Sequence, residues 1–150
     1  MVRFKIVVDA DACPVSEIVA HIGEIANVEV LFFCDLYHEL QVSYGKVKRI
    51  PPGKDAVDFA LITALQKGDI VITQDYGVGA MAIGKGAYAL HPNGREYTVE
   101  NIDQMLFERH MCQKIRRSGK RMKGKKVKKR TEEMDAYFEL RLKTLIGRMQ

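Results

Sequence analysis

A chain of 150 residues, 47% of them hydrophobic, can bury a core of its own as one domain, and it holds no run near the roughly eighteen apolar residues that cross a bilayer. Its three cysteines, Cys13, Cys34 and Cys112, are widely spaced and form no Cys-x-x-Cys pair, which argues against a disulfide scaffold or a structural zinc site and for a reducing compartment. Charge is segregated: residues 109–130 carry twelve Lys and Arg and no acid, while the rest of the chain sets twelve bases against all nineteen acids. Residues 4–9 form an apolar, β-branched run, the pattern of a strand covered on both faces, and no signal-peptide pattern precedes it. A soluble, cytoplasmic protein with no membrane partner is expected. Pro14 suits the first turn of a helix reaching about Gly23, which would put Cys13 at its cap. Residues 28–33 read as a second strand, and residues 46–50 as a short third strand that alternates in polarity before Pro51-Pro52-Gly53. A helix is expected over 55–66, stopped by Gly68, then a buried strand over 69–73, a small-residue helix near 78–83 and a strand over 87–90. Asn93-Gly94 fits the turn of a small hairpin between residues 88–90 and 95–98. An amphipathic helix from Thr98 or Glu100 to about Ile115 follows, and a last one over 131–149 repeats its apolar residues at three and four positions.

This alternation predicts an α/β fold, a mainly parallel sheet with helices on both faces over residues 1–108. A basic segment (109–130) and a C-terminal helix docked on the domain (131–150) complete the expected organisation. Ligands of an open parallel sheet bind beyond the carboxyl ends of its strands, and aspartates recur at those ends. Asp9 and Asp11 follow the first strand, Asp55 and Asp58 open the helix after Gly53, and Asp75 follows the strand ending at Thr73. A cluster of carboxylates repels itself unless a cation sits within it, and all-oxygen ligands suit Mg²⁺ or Mn²⁺. Each acid also has a structural reading. Asp55 and Asp75 are good helix N-caps, and Asp58 falls in a first turn favoured by the helix dipole. The combination carries more weight than its members.

Other patterns are less specific. Gly79 to Gly86 matches the first seven positions of a phosphate-binding P-loop, but Gly86 replaces the required Ser or Thr and a helix is expected there. Gly77 and Gly79 miss the dinucleotide spacing and read instead as backbone room near Asp75. Cys13 at a helix start has the makings of a reactive thiolate, yet no resolving cysteine lies nearby, and a small residue in a tight turn is the plainer account. Of the four histidines only His38 follows a strand where a site would recruit it, and a solvated loop histidine is the plainer account there too. The basic segment lacks interleaved aromatics, which points to phosphate contact rather than base stacking.

The motifs Asp9-Ala10-Asp11-Ala12-Cys13-Pro14-Val15, Gly53-Lys54-Asp55-Ala56-Val57-Asp58, Gly68 to Asp75 and Arg116-Arg117-Ser118-Gly119 resemble those of the YaiI/YqxD family of bacterial proteins, and the resemblance runs from end to end. It implies a domain similar to PIN-like nucleases, in which acids at the ends of parallel strands hold a divalent metal for phosphodiester hydrolysis. By that likeness Asp9 or Asp11 matches the first-strand acid, Asp55 or Asp58 the mid-chain acid and Asp75 the later one. PIN domains often add an acid shortly after this point, whereas Tyr76-Gly77-Val78-Gly79 supplies none. The expected function is therefore a metal-dependent nuclease acting on RNA before DNA. Asp9, Asp11, Asp58 and Asp75 would bind Mg²⁺ or Mn²⁺, with Asp55, Thr73 and Gln74 around them. Arg116, Arg117, Lys120, Arg121, Lys123, Lys125 and Lys126 would hold the nucleic-acid backbone. The alternatives are a non-catalytic nucleic-acid or ribosome-associated module and, third, a thiol enzyme using Cys13. A homo-oligomer is compatible with the sequence.

Overall fold

The computed structural model of the chain describes residues 3–11, 13–117 and 129–149. Its first strand, β1 (Lys5–Asp9), shows how the sequence builds two layers. Successive side chains of a strand point to opposite faces, so Ile6 and Val8 enter one core and Val7 the other, all three fully buried. Each such side chain contributes about 1.5–3 kcal/mol by leaving water.

Helix α1 (Ser16–Ala26) leads from β1 to β2 (Glu29–Asp35), and residues 36–45 lead on, without a helix, to β3 (Lys46–Ile50). Helix α2 (Ala56–Ala64) precedes β4 (Ile70–Ile72), and α3 (Tyr76–Gly84) precedes β5 (Tyr88–Leu90). The hairpin partner β6 (Glu96–Tyr97), helix α4 (Ile102–Arg117) and helix α5 (Glu132–Met149) follow. The sheet order is β3-β2-β1-β4-β5-β6, parallel throughout except for the β5–β6 pair. The α/β fold is as the alternation predicts. Phe138, Leu142, Leu145 and Ile146 of α5 share a core with Val19 and Ile22 of α1, whereas Leu61 of α2, Val78 and Ala82 of α3 and Met105 of α4 fill the opposite face. Among the described residues no helix is long and apolar enough to cross a membrane.

The strand order has one consequence for function. From β1 the chain moves outward to β2 and β3, then returns to lay β4 on the other side of β1. Direction therefore reverses between β1 and β4, and the crevice beyond their carboxyl ends is where such sheets bind ligands.

Several element ends differ from expectation. Pro14 lies before α1, in a turn where the Cys13 amide donates to the Ala10 carbonyl at 3.2 Å, so Val15 rather than Cys13 occupies the cap. That helix runs past the buried Gly23 and stops at Asn27, whose left-handed φ of 55° lets the Val28 amide reach the Gly23 carbonyl at 2.9 Å. Helix α2 ends at Ala64 because Leu65 turns extended, and Gly68, at φ 88°, serves the turn into β4. Helix α4 begins at Ile102 and runs to Arg117, two residues past the expected end near Ile115.

Candidate functional site

Asp9 closes β1, and the ladder continues past it through the Ala10 amide, which donates to the Phe33 carbonyl at 2.8 Å. Beside it β4 ends and the chain continues into Thr73, buried to 1% exposure, whose amide donates to the Leu90 carbonyl at 3.2 Å. The Thr73 hydroxyl donates to Asp9 Oδ2 at 2.9 Å and accepts from the Asp75 amide at 3.0 Å. Its carbonyl accepts from the Tyr97 hydroxyl at 2.9 Å. One threonine thus ties β1 to the start of α3 and to β6. Asp75 caps α3: its Oδ1 accepts from the amides of Gly77 at 2.8 Å and Val78 at 3.3 Å. Helix α3 can lie this close to Tyr97 because Gly79 faces the ring, and a Cβ there would stand 3.0 Å from it.

Burial pushes the Asp9 carboxyl up to about 6; the Thr73 hydrogen bond opposes the shift, and the charges of Asp58, Asp11 and Asp75 add to it. Asp58, in the first turn of α2, is also pushed up, by burial and then by Asp75, Asp55 and Asp11. Four of the five aspartates singled out in the sequence, Asp9, Asp11, Asp58 and Asp75, therefore feel one another across the β1–β4 crevice, and Asp55 reaches this group through Asp58. Asp55 sits at the cap position of α2, but its backbone is left-handed (φ 57°) and its side chain makes no cap hydrogen bond. The structural role expected for it is absent. Asp11 lies in the turn after β1, its Oδ1 accepting from the Asp35 amide at 3.4 Å with His38 Nδ1 3.7 Å away. Gln74 is exposed between Thr73 and Asp75.

Asp75 is also engaged by Arg109 of α4, whose Nη1 donates to Oδ1 at 3.3 Å, and the same guanidinium lies 5.9 Å from the centre of the Tyr76 ring. Tyr76 in turn packs edge-on against Tyr97 at 5.7 Å and lies 6.2 Å from His91. Burial, then Tyr76 and Asp75, push the Tyr97 hydroxyl well above its ordinary range, so it stays a donor. His91 Nδ1 accepts from the Asn93 amide at 3.0 Å, which assigns the proton to Nε2, and burial pushes its pKa down. Arg109 and Arg116, seven residues apart, share one face of α4, with Arg117 beside them; both terminal arginines are exposed. Lys120, Arg121, Lys123, Lys125 and Lys126 lie outside the described residues.

A divalent cation fits this edge in part. The donors are all oxygen, and two of the acids are held up in pKa by burial and by one another, a strain that a cation relieves. Yet among the described residues no three His, Cys, Asp or Glu are arranged to hold one ion. Mg²⁺ keeps several waters and takes one or two carboxylates together with substrate phosphates, so it would not require three converging protein ligands.

His91 and Arg109 were not legible as neighbours of Tyr76, the residue after Asp75, because they lie fifteen and thirty-three residues further along the chain. Asp35 could have been found: it ends β2 at the same edge, but the strand was expected to stop at Phe33. Its Oδ1 accepts from the Tyr37 amide at 2.9 Å. Burial pushes the Cys13 thiol up, which deprives it of thiolate character.

Fold and site together define a doubly wound α/β protein with an acidic crevice where its strand order reverses. The particular family is the YaiI/YqxD family, to which this chain belongs: the model described as "Uncharacterized BCR, YaiI/YqxD family" matches residues 7–148. The chain is 50% identical over 144 residues to a UPF0178 protein of Clostridium acetobutylicum, covering 96% of this chain and 97% of that one. It is 50% identical over 143 residues to one of Lachnoclostridium phytofermentans (95% and 96% covered), and 47% identical over 146 residues to one of Clostridium tetani (96% and 97%). No solved structure matches the chain.

Proposed function

We propose that the protein hydrolyses phosphodiester bonds in nucleic acid, RNA before DNA, with Mg²⁺ or Mn²⁺ at the acidic crevice. The observation that carries this reading is the mutual influence of Asp9, Asp11, Asp58 and Asp75 at the strand-order reversal, with Arg109 against Asp75. The likeness to PIN-like nucleases supports it. A divalent cation, when bound, supplies charge neutralisation and a more acidic water. The chain's own residues set the geometry. Thr73 fixes the Asp9 carboxylate, the amides at the start of α3 fix Asp75, and Arg109 offers a fork for a substrate phosphate. Asp55 and Gln74 border the same edge. Arg116 and Arg117, continued by Lys120, Arg121, Lys123, Lys125 and Lys126, meet the backbone of the bound strand.

Labelled single-stranded RNA and DNA incubated with the purified protein and Mn²⁺ test this directly. The wild type cleaves, and Asp9→Asn and Asp75→Asn each lower the rate by about a hundredfold or more. Equal cleavage by wild type and both variants removes the proposal.

A second reading rests on a specific observation: Asp75 already caps α3 and pairs with Arg109, and among the described residues no three acids are arranged to hold one ion. On that reading the protein is a non-catalytic nucleic-acid or ribosome-associated module. Its binding survives Asp11→Asn and Asp75→Asn and disappears when residues 118–128 are deleted.

A further inference from the structure

Away from the aspartates, an open groove of about 640 Å³ lies between the β5–β6 hairpin and α5. Its charge is one-sided. Arg95, Arg141 and Arg148 line it against a single acid, Glu96, and that carboxylate is already engaged by Arg148 at 2.6 Å. Arg141 Nε donates to the Gly94 carbonyl at 3.2 Å, which holds the guanidinium at the groove wall. Arg141 and Arg148 are seven residues apart, about 10 Å along one face of α5. Tyr137, one turn before Arg141, is 50% exposed and lies on the hairpin turn. The fit there is close: Gly94, at φ 94°, would bring an added Cβ to 2.6 Å from the Tyr137 ring. The loop is stiffened by its own amides, with Asn93 Oδ1 accepting from the Arg95 amide at 2.8 Å and Asn101 Nδ2 donating to the Glu96 carbonyl at 2.9 Å. The groove also joins the other two features of the molecule. Asn93 bonds His91, whose ring lies against Tyr76, the residue after Asp75. Arg130, where the basic segment returns to the described structure, donates to the Pro92 carbonyl at 2.8 Å in the same hairpin.

Arginine forks match phosphate geometry, and an exposed tyrosine ring offers a base a face to stack on. We propose that this groove holds a single-stranded nucleic acid, with Arg95, Arg141 and Arg148 on its phosphates and Tyr137 under a base, the strand passing over His91 to the acidic crevice. The proposal rests on the nucleic-acid reading above and adds where the strand lies. An acidic polypeptide would use the arginines but would leave the tyrosine face without a role.

Fluorescence anisotropy with a labelled single-stranded oligouridylate of a dozen nucleotides, in EDTA so that nothing is cleaved, tests it on the full chain. Arg95→Gln combined with Arg141→Gln weakens binding by about tenfold or more and lowers the slope of log affinity against log salt by about two, one for each lost phosphate contact. Tyr137→Leu weakens binding without changing that slope. Thermal unfolding reports whether each variant is folded; should the Arg141 change unfold the protein, Arg95→Gln with Tyr137→Leu, both at exposed positions, carries the test. Unchanged affinity and slope in folded variants overturn the groove. So does loss of binding only on deletion of residues 118–128, which leaves the nucleic-acid reading standing. Displacement of the RNA by polyglutamate of equal charge at equal concentration overturns the groove in favour of an acidic protein partner. Absence of binding by the wild type overturns both readings.

Discussion

Asp9 and Asp69 show how differently two aspartates of one sheet can be used. Asp69, 3% exposed, precedes β4 at the amino edge; its carboxylate accepts from the Lys5 amide at 3.1 Å and the Gln66 amide at 2.8 Å, and pairs with the Lys5 ammonium at 2.6 Å. Asp9, at the carboxyl edge, has one hydroxyl donor, from Thr73, and three acids near enough to raise its pKa. The first is structural, the second electrostatically unresolved. With its pKa raised from 3.8 to about 6, the folded protein binds the Asp9 proton more tightly than the unfolded chain does. The stability this provides is complete below the unfolded value and is lost as pH rises through about 6. Asp9→Asn, which can still accept from Thr73, should therefore raise stability near pH 8 by roughly 1–2 kcal/mol, after allowance for a site partly open to solvent. The two proteins should converge near pH 4, as urea midpoints across that range would record. A constant difference at all pH values would show that Asp9 is not held up. Asp9, Asp11, Asp58 and Asp75 were legible in the sequence because an acid at the end of an apolar strand or the start of a helix has a defined position. The burial of Asp69 was not, since its partners lie sixty-four residues away at Lys5 and in a turn.

At the scale of elements, the core strands were readable because β-branched runs leave little choice, and the hairpin at Asn93-Gly94 because its turn demands a positive φ. Helix ends were not. Pro14 signals a helix start in isolation, but here it is consumed by the turn that carries Asp11, and α1 begins two residues later. Gly68 signals a helix stop, but α2 ends four residues earlier so that Leu65, fully buried, can enter the core beside Leu61. In both cases a tertiary requirement displaced a local preference. Asparagine caps helices about as well as aspartate, so Asp75→Asn should leave stability nearly unchanged, whereas Asp75→Ala should cost about 1 kcal/mol. Thermal unfolding separates the two, and that makes Asp75→Asn the cleaner probe of charge in any activity assay. A large loss in Asp75→Asn would mean that the Arg109 contact, not the cap, holds α3.

For the molecule as a whole, Arg109 of α4 stands against Asp75 at the acidic crevice, and the arginine-lined groove runs beside the β5–β6 hairpin. The segregation of charge was visible in the sequence, but its relation to the crevice was not. That relation depends on α4 bringing Arg109 to Asp75, on Arg130 reaching the Pro92 carbonyl ahead of α5, and on α5 running beside the hairpin through Arg141 and Arg148. If six to ten of these cations meet phosphates, RNA affinity should fall by about 10³ to 10⁵ between 50 and 200 mM salt. An affinity that barely changes over that range would rule out backbone contact as the main source of binding.

Binding of a divalent cation by the aspartates at the β1–β4 crevice can be read by titration with Mn²⁺, with the free ion followed by electron paramagnetic resonance. The wild type should bind Mn²⁺ near pH 8 and about tenfold more weakly near pH 5, where Asp9 holds its proton, and Asp9→Asn should lose that binding at both. Identical titrations for wild type and Asp9→Asn at both pH values would show that Asp9 holds no cation.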